Sequence, residues 1–339
     1  MSCRYPRTRI PSNSRSSIRT LAGTPVARIG FGVMQLAELN GRPAIPAEDA
    51  IAIVRRAVLL GVTHFDTAGF YGDGEANRRL RDALLPYADR DDIVLATKIG
   101  AVDGRPAARL VPAQKPAELR AQVESNLAEL GVDRLGVVNL RRADNAPGIL
   151  ATGDQLVDLD DQLAELIALR DEGKLAGIGL SNVRPDQLQQ ALPAGIVCVQ
   201  NYYNLLNREH EDLLELCERE GIAWVPYFPL GSAFDGIAKV TDQREVQDAA
   251  AAVGATPAQI ALAWLLQHAA NILLITGTSN QEHLVENVGA GGVRLDERTV
   301  ERLDAVGRVG WEGDRPLLPT TSPSPSPLPG SRFLPSSTA

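Results

Sequence analysis

The chain has 339 residues and a net charge of -8, from 34 basic and 42 acidic groups scattered along its length. That balance argues against a nucleic-acid-binding surface, and no apolar run approaches the ~18–20 residues that a membrane-spanning helix needs. Cys3, Cys198 and Cys217 show no paired spacing, which suggests neither a disulfide framework nor a zinc site and points to a reducing, cytoplasmic setting.

Residues 1–20 are rich in arginine and serine, carry no acidic group and lack the apolar stretch of a secretory signal. They read as a disordered leader, with an organelle transit peptide as the alternative. Beyond them, short runs rich in valine and isoleucine alternate with amphipathic stretches of helical length. Strands are expected at 27–31, 62–65, 93–96, 135–140, 177–180, 196–199, 223–225 and 272–275. Helices are expected at 47–60, 75–85, 116–130, 156–172, 185–191, 209–220, 257–267 and 281–290. Pro116, Pro185 and Pro257 stand near helix starts, and Gly61, Gly131, Gly173 and Gly221 follow helix ends. Eight βα units imply a closed (β/α)8 TIM barrel, here over 21–310, with its active site at the carboxyl ends of the strands. The segment 311–339, with its Ser-Pro repeats, reads as a disordered tail.

Every expected strand runs from apolar residues into glycine or polar groups at the working face. The ends read Gly30-Phe31-Gly32, Asp66, Thr97-Lys98, Asn139 to Arg141, Ser181-Asn182, Gln200-Asn201, Tyr227 and Thr276-Gly277-Thr278-Ser279. Two of them carry chemistry: His64-Phe65-Asp66-Thr67-Ala68-Gly69-Phe70-Tyr71-Gly72, and Ala96-Thr97-Lys98. A tyrosine titrating near pH ~10 is a poor acid until a nearby ammonium, held by a carboxylate, stabilises its phenolate. Lys98 supplies such a charge and Asp66 can hold it; the plain alternative is an exposed turn beside an ordinary strand-end lysine.

These residues resemble the aldo-keto reductase superfamily over 21–308. The matching motifs are Asp-Thr-Ala…Tyr-Gly, Thr-Lys-Ile-Gly, Gly-Leu-Ser-Asn, Gln-Asn-Tyr-Tyr-Asn, Phe-Pro-Leu-Gly and Gly-Thr-Ser-Asn…His-Leu…Glu-Asn. The resemblance implies an NADPH-dependent reductase of small carbonyl compounds on a (β/α)8 barrel with an N-terminal β-hairpin and no metal, NADH being the lesser cofactor. It implies that Tyr71 protonates the carbonyl oxygen while Lys98 and Asp66 tune its acidity. Ser181, Asn182 and Gln200 would then hold the nicotinamide carboxamide, and Tyr227 would stack on the ring. Gly32, Met34, Phe228, Pro229, Leu230 and Gly231 would line the cofactor path, and Gly277, Thr278, Ser279, His283, Glu286 and Asn287 would meet the adenosine end.

Two departures stand out. Many relatives place Lys at Gly277 and Arg at His283; here Thr278, Ser279 and the start of the following helix would have to hold a 2′-phosphate. The usual Asp-Leu-x-x-x-His of the fourth strand reads Gly136-Val137-Val138-Asn139-Leu140-Arg141. Arg141 thus replaces a neutral imidazole by a permanent cation with five donors, able to hold a carbonyl oxygen, a phenolate or a phosphate. Val-Val-Asn-Leu-Arg and Val-Pro-Tyr-Phe-Pro-Leu-Gly resemble a bacterial branch that includes pyridoxal reductases, in which arginine at this position is similar. Specificity would lie in loops 36–46, 101–112, 143–154 and 232–241 and in the region after Gly310. A dedicated ketone or imine reductase of specialised metabolism and a non-catalytic NADPH-binding barrel stay open as alternatives. The oligomeric state is not legible in one sequence.

Overall fold

The computed structural model describes residues 18–38, 43–87, 90–105, 110–146, 148–231 and 237–306. Its first element is a hairpin of β1 (Ile18–Leu21) and β2 (Thr24–Ala27), turned on Ala22 and Gly23, both at positive φ. A two-residue turn of that kind matches the twist of the flanking strands. The hairpin begins at Ile18, so residues 18–20 belong to the fold and not to the expected leader. Residues 1–17 and 307–339, which hold the rest of the leader and the whole tail, lie outside the described residues.

The barrel strands are β3 (Ile29–Gly32), β4 (His64–Asp66), β5 (Val94–Ile99), β8 (Leu135–Arg141), β9 (Leu175–Ser181), β10 (Ile196–Gln200), β11 (Ala223–Trp224) and β12 (Leu274–Ile275). They pair in parallel in the order β11-β10-β9-β8-β5-β4-β3-β12. A parallel bridge between Trp224 and Ile272 joins the two ends, with Leu273 N donating to Trp224 O at 2.8 Å, so the barrel is closed.

Around it lie α1 (Ala47–Leu59), α2 (Glu75–Leu84), α3 (Pro116–Leu130), α4 (Leu159–Asp171), α5 (Pro185–Ala191), α6 (Glu211–Arg219), α8 (Pro257–His268) and α9 (Gln281–Gly289). All eight match expected helices to within three residues at each end. Two more helices, α7 (Arg244–Val253) and α10 (Glu297–Asp304), were not expected. Part of the expected 101–112 loop is also regular: β6 (Ala101–Asp103) pairs with β7 (Leu110–Pro112) as a second hairpin at the mouth. No single helix among the described residues is long and apolar enough to cross a membrane.

The helices bury one face against the outward side chains of the strands, in a core that includes Phe65, Ile99, Val138, Leu140 and Trp264. A second cluster fills the barrel itself, where Val94, Ala96, Val137, Cys198, Ala223, Val225 and Leu273 meet Leu21 and Val26 of the hairpin. The hairpin therefore plugs the amino-terminal end. Above this layer space is tight: a Cβ on Gly179 would stand 2.1 Å from Asn139 Oδ1 and 2.7 Å from Cys198 Sγ. Gly179→Ala is accordingly expected to cost about 1–3 kcal/mol by overpacking. A urea midpoint equal to that of the parent chain would contradict this.

Candidate active site

Strand parity builds the site. Side chains alternate between the two faces of a strand, so the inward set that begins with Val94 and Ala96 on β5 continues with Lys98. Val137 on β8 leads to Asn139 and Arg141, Cys198 on β10 to Gln200, and Val225 to Tyr227. The apolar plug below thereby turns into a ring of polar groups at the carboxyl-terminal mouth.

Lys98 sits at the centre of that ring. Its Nζ donates to Asp66 Oδ1 and, at 3.1 Å, to Thr67 O. Both side chains of the ion pair are under 10% exposed, 8% for Lys98 and 4% for Asp66. The second oxygen of Asp66 accepts from Gln200 Nε2 at 2.7 Å. Lys98 Nζ also stands 5.1 Å from the centre of the Tyr71 ring. Tyr71 reaches it from a tight loop in which Tyr71 N donates to Ala68 O, Gly74 N to Gly69 O and Ala76 N to Tyr71 O.

The electrostatics refine the expectation from sequence. Burial pushes the Tyr71 phenol above its ordinary value of 10.0, while Lys98, by charge and hydrogen bonding, and Arg141, by charge, pull it back down. The net direction is upward, because burial outweighs the acidifying pull of Lys98 that the sequence suggested. Burial weighs most against the Lys98 ammonium too, yet Asp66 and Tyr71 outweigh it and hold the amine above 10.5.

Arg141 lies beside Tyr227, with which it hydrogen-bonds. Burial drives the Tyr227 phenol up to about 12 against the opposing charge of Arg141. The arginine packs so closely on the next loop that a Cβ at Gly148 would stand 2.3 Å from its Nη2. One face of the Tyr227 ring is already covered: Tyr202 stacks on it at 5.9 Å between centroids with 15° between planes. Phe228, at φ 56°, meets both rings edge-on.

Three groups expected to hold an amide converge between β9 and β10. Gln200 commits its nitrogen to Asp66, so its Oε1, buried and without a partner, is the atom left to accept a hydrogen bond. Asn182, at φ 59°, gives its Nδ2 to Arg142 O at 3.3 Å and Asn145 O at 2.8 Å, so only its Oδ1 remains to meet a ligand. Ser181 is 2% exposed at the end of β9. An orphaned acceptor beside two further polar groups fits a primary carboxamide such as that of nicotinamide.

At the far end the structure corrects the expected anion site. Asn280 Oδ1 caps α9 by accepting from Glu282 N at 2.7 Å and His283 N at 3.1 Å, and Thr278 Oγ1 accepts from Asn280 N at 3.0 Å. Two of the first helical N–H groups are therefore already satisfied, and a phosphate there would meet the Ser279 hydroxyl and the exposed His283 instead. A Cβ at Gly277 would lie 2.6 Å from Gly32 O, so the backbone at the first and last strands leaves no room for a lysine at this position. Glu286 offers its carbonyl to Gln259 Nε2 at 3.1 Å, and Asn287 is 5% exposed on the inner face of α9. Met34 lies on a short 3-10 turn just past β3. Pro229, Leu230 and Gly231 form a turn in which Gly231 N donates to Phe228 O at 3.0 Å.

The sequence matches the aldo/keto reductase family over residues 28–308. The chain belongs to that family. It is 43% identical over 299 residues to pyridoxine 4-dehydrogenase of Escherichia coli, covering 86% of this chain and 99% of the relative. It is 31% identical to probable aldo-keto reductase 1 of Glycine max, covering 83% of this chain and 85% of that protein. Its fold is similar to the crystal structure of an aldo-keto reductase from Klebsiella pneumoniae in complex with NADPH, with a TM-score of 0.69 and 25% identity over 85% of this chain and 93% of that one. As an aldo/keto reductase the chain is an NAD(P)H-dependent oxidoreductase, in a family that uses NADP(H).

For this reductase, sequence reasoning named Asp66, Tyr71, Lys98, Arg141, Ser181, Gln200 and Tyr227, and all of them meet at one mouth. It missed Tyr202, whose neighbour Tyr203 was the visible signal: an aromatic pair directly after a strand end. It also missed Gly148, which no local pattern marks.

Proposed function

We propose that this chain reduces small aldehydes and ketones with NADPH, and that its substrate is a planar aromatic carbonyl compound such as pyridoxal. The observation that carries the reading is the buried Asp66–Lys98 pair acting on a phenol at the mouth of an aldo/keto reductase barrel. The pyridoxine 4-dehydrogenase relative supports the choice of substrate.

NADPH, when bound, supplies the hydride that reaches the carbonyl carbon. Tyr71 gives the carbonyl oxygen its proton, and the phenolate left behind is stabilised by Lys98 until solvent returns a proton. Asp66 keeps Lys98 charged and in place. Ser181, Asn182 and Gln200 hold the carboxamide, Gln200 through its free Oε1, and Tyr227, backed by Tyr202, offers its other face to the nicotinamide ring. Ser279 and His283 favour NADPH over NADH by giving the 2′-phosphate a hydroxyl and an imidazole.

The test is NADPH oxidation followed by absorbance with pyridoxal, a nitrobenzaldehyde, a simple ketone and a control without substrate. Turnover that is fastest with pyridoxal supports the reading, whereas cofactor binding without turnover on any carbonyl overturns it. Arg141→His sharpens the assignment. Loss of a charge-assisted hydrogen bond to an anionic substrate group is expected to lower kcat/KM for pyridoxal by about 10–100-fold and to spare a small neutral aldehyde. An equal loss on both substrates would remove Arg141 from substrate recognition.

A further inference from the structure

Thr67 and Thr97 follow or precede Asp66 and Lys98 by one residue, so the alternation of a strand turns them away from the barrel interior. Both are wholly buried. Elsewhere on this outward layer the strands meet their helices through apolar groups, such as Phe65, Leu95, Ile99, Val138 and Leu140. Behind the ion pair the layer is polar. Thr97 Oγ1 donates to Asn126 Oδ1 at 2.6 Å, and Thr67 Oγ1 donates to Asn77 Oδ1 at 2.6 Å. Asn77 Nδ2 then donates to Asn126 Oδ1 at 2.9 Å and to Glu129 Oε2 at 2.7 Å, while Asn126 Nδ2 donates to Gln122 O at 2.7 Å.

Asn77 lies in the first turn of α2 and Asn126 in α3, and both are buried, at 0% and 2% exposure. The segment between Thr67 and Asn77 is the loop that carries Tyr71. The chain of hydrogen bonds therefore fastens both ends of that loop, and the strand end bearing Lys98, to one point on α3. A fully satisfied buried polar network adds little net stability over an apolar layer but fixes one geometry.

We propose that Asn77 and Asn126, acting through Thr67 and Thr97, are positioning residues that set the distance between Lys98, Asp66 and the Tyr71 hydroxyl. This rests on the roles given to those three residues above. A proton donor displaced by about 1 Å loses on the order of 100-fold in rate, and the network opposes slippage of β4 against β5 at the level where such a displacement would arise.

The experiment compares Thr97→Val, which keeps the shape and removes the hydroxyl, with Thr97→Ser, which keeps the hydroxyl, in the full chain with NADPH and pyridoxal. Thr97→Val is expected to lower kcat about tenfold and to move the alkaline limb of its pH profile, with the NADPH Kd, read by protein fluorescence, within about twofold of the parent. Thr97→Ser is expected to restore both. A Thr97→Val enzyme with parental kcat and pH profile overturns the proposal, as does a Thr97→Ser enzyme equally impaired, or a joint loss of kcat and NADPH affinity. Should Thr97→Val fail to fold, Thr67→Val against Thr67→Ser makes the same comparison. Tyr71→Phe runs alongside: if it retains turnover, the reading of the site fails, whereas if it is inactive and Thr97→Val keeps the parental kcat and pH profile, the positioning role alone fails.

Discussion

Lys98→Met is expected to remove nearly all turnover and to destabilise the chain by about 3–5 kcal/mol, because it strands a buried carboxylate. Asp66 is 3% exposed and would keep one strong partner, Gln200 Nε2 at 2.7 Å. Methionine fills the lysine stem but returns no charge, so the carboxylate would be left without its ion-pair partner. The two effects separate in a double variant. Asp66→Asn with Lys98→Met relieves the stranded charge and should recover most of the melting temperature while staying inactive. Recovery of activity in the double variant would show that the pair serves packing and not proton transfer.

The pH dependence of this destabilisation follows from the direction in which Lys98 is shifted. Its folded value lies above the ordinary 10.5. The stabilisation is therefore present in full below that value and is lost only as pH rises through the folded one. Across about pH 6 to 9 the gap in melting temperature between parent and Lys98→Met should stay constant as far as Lys98 governs it, narrowing only in stronger alkali.

Tyr71→Phe is expected to reduce turnover by roughly 10²–10⁴-fold, the usual contribution of a positioned acid, with the NADPH Kd within about twofold. The change deletes the hydroxyl and keeps the ring, including its edge contact with Phe70 at 5.1 Å. Because burial raises the phenol above 10.0, the donor stays protonated throughout the neutral range. The reduction rate should therefore be flat in pH as far as Tyr71 governs it. Oxidation of the alcohol by NADP+ needs the phenolate and should accelerate as pH rises. A reduction rate that falls between about pH 7 and 8 with the slope of a single ionisation would mean that Tyr71 titrates there and that the upward shift is wrong.

The barrel was legible because each strand joins a short apolar run to a polar or glycine end, and because proline and glycine punctuate the helices. Lys98 and Asp66 were legible for the same reason: they fall at those ends on the inward parity. α10 escaped because Leu303 is its one buried residue among those described, leaving little apolar period to read. α7 escaped because its run of alanines, Ala249 to Ala252, is apolar without being patterned. The Asn77–Asn126 link joins residues far apart in sequence, and nothing local distinguishes those asparagines from the solvated ones that helices commonly carry. The net direction of the Tyr71 shift was not legible for a physical reason: the ammonium that lowers it is visible in the sequence, but the burial that outweighs it exists only after folding.

The closure of the barrel has a consequence for how the molecule breathes. β8 and β9 are seven residues long and pair from Leu135 to Arg141, whereas β11 and β12 are two residues each and meet through the Trp224–Ile272 bridge. Local opening starts where the fewest ladder bonds must break. The ring thus has a stiff arc, holding Lys98, Arg141 and Ser181, and a compliant seam, holding Tyr227 and the loop from Gly277 to Asn280. Opposite sides of one circle are thereby held by unequal numbers of ladder bonds, many beside Arg141 and Ser181 and few beside Tyr227.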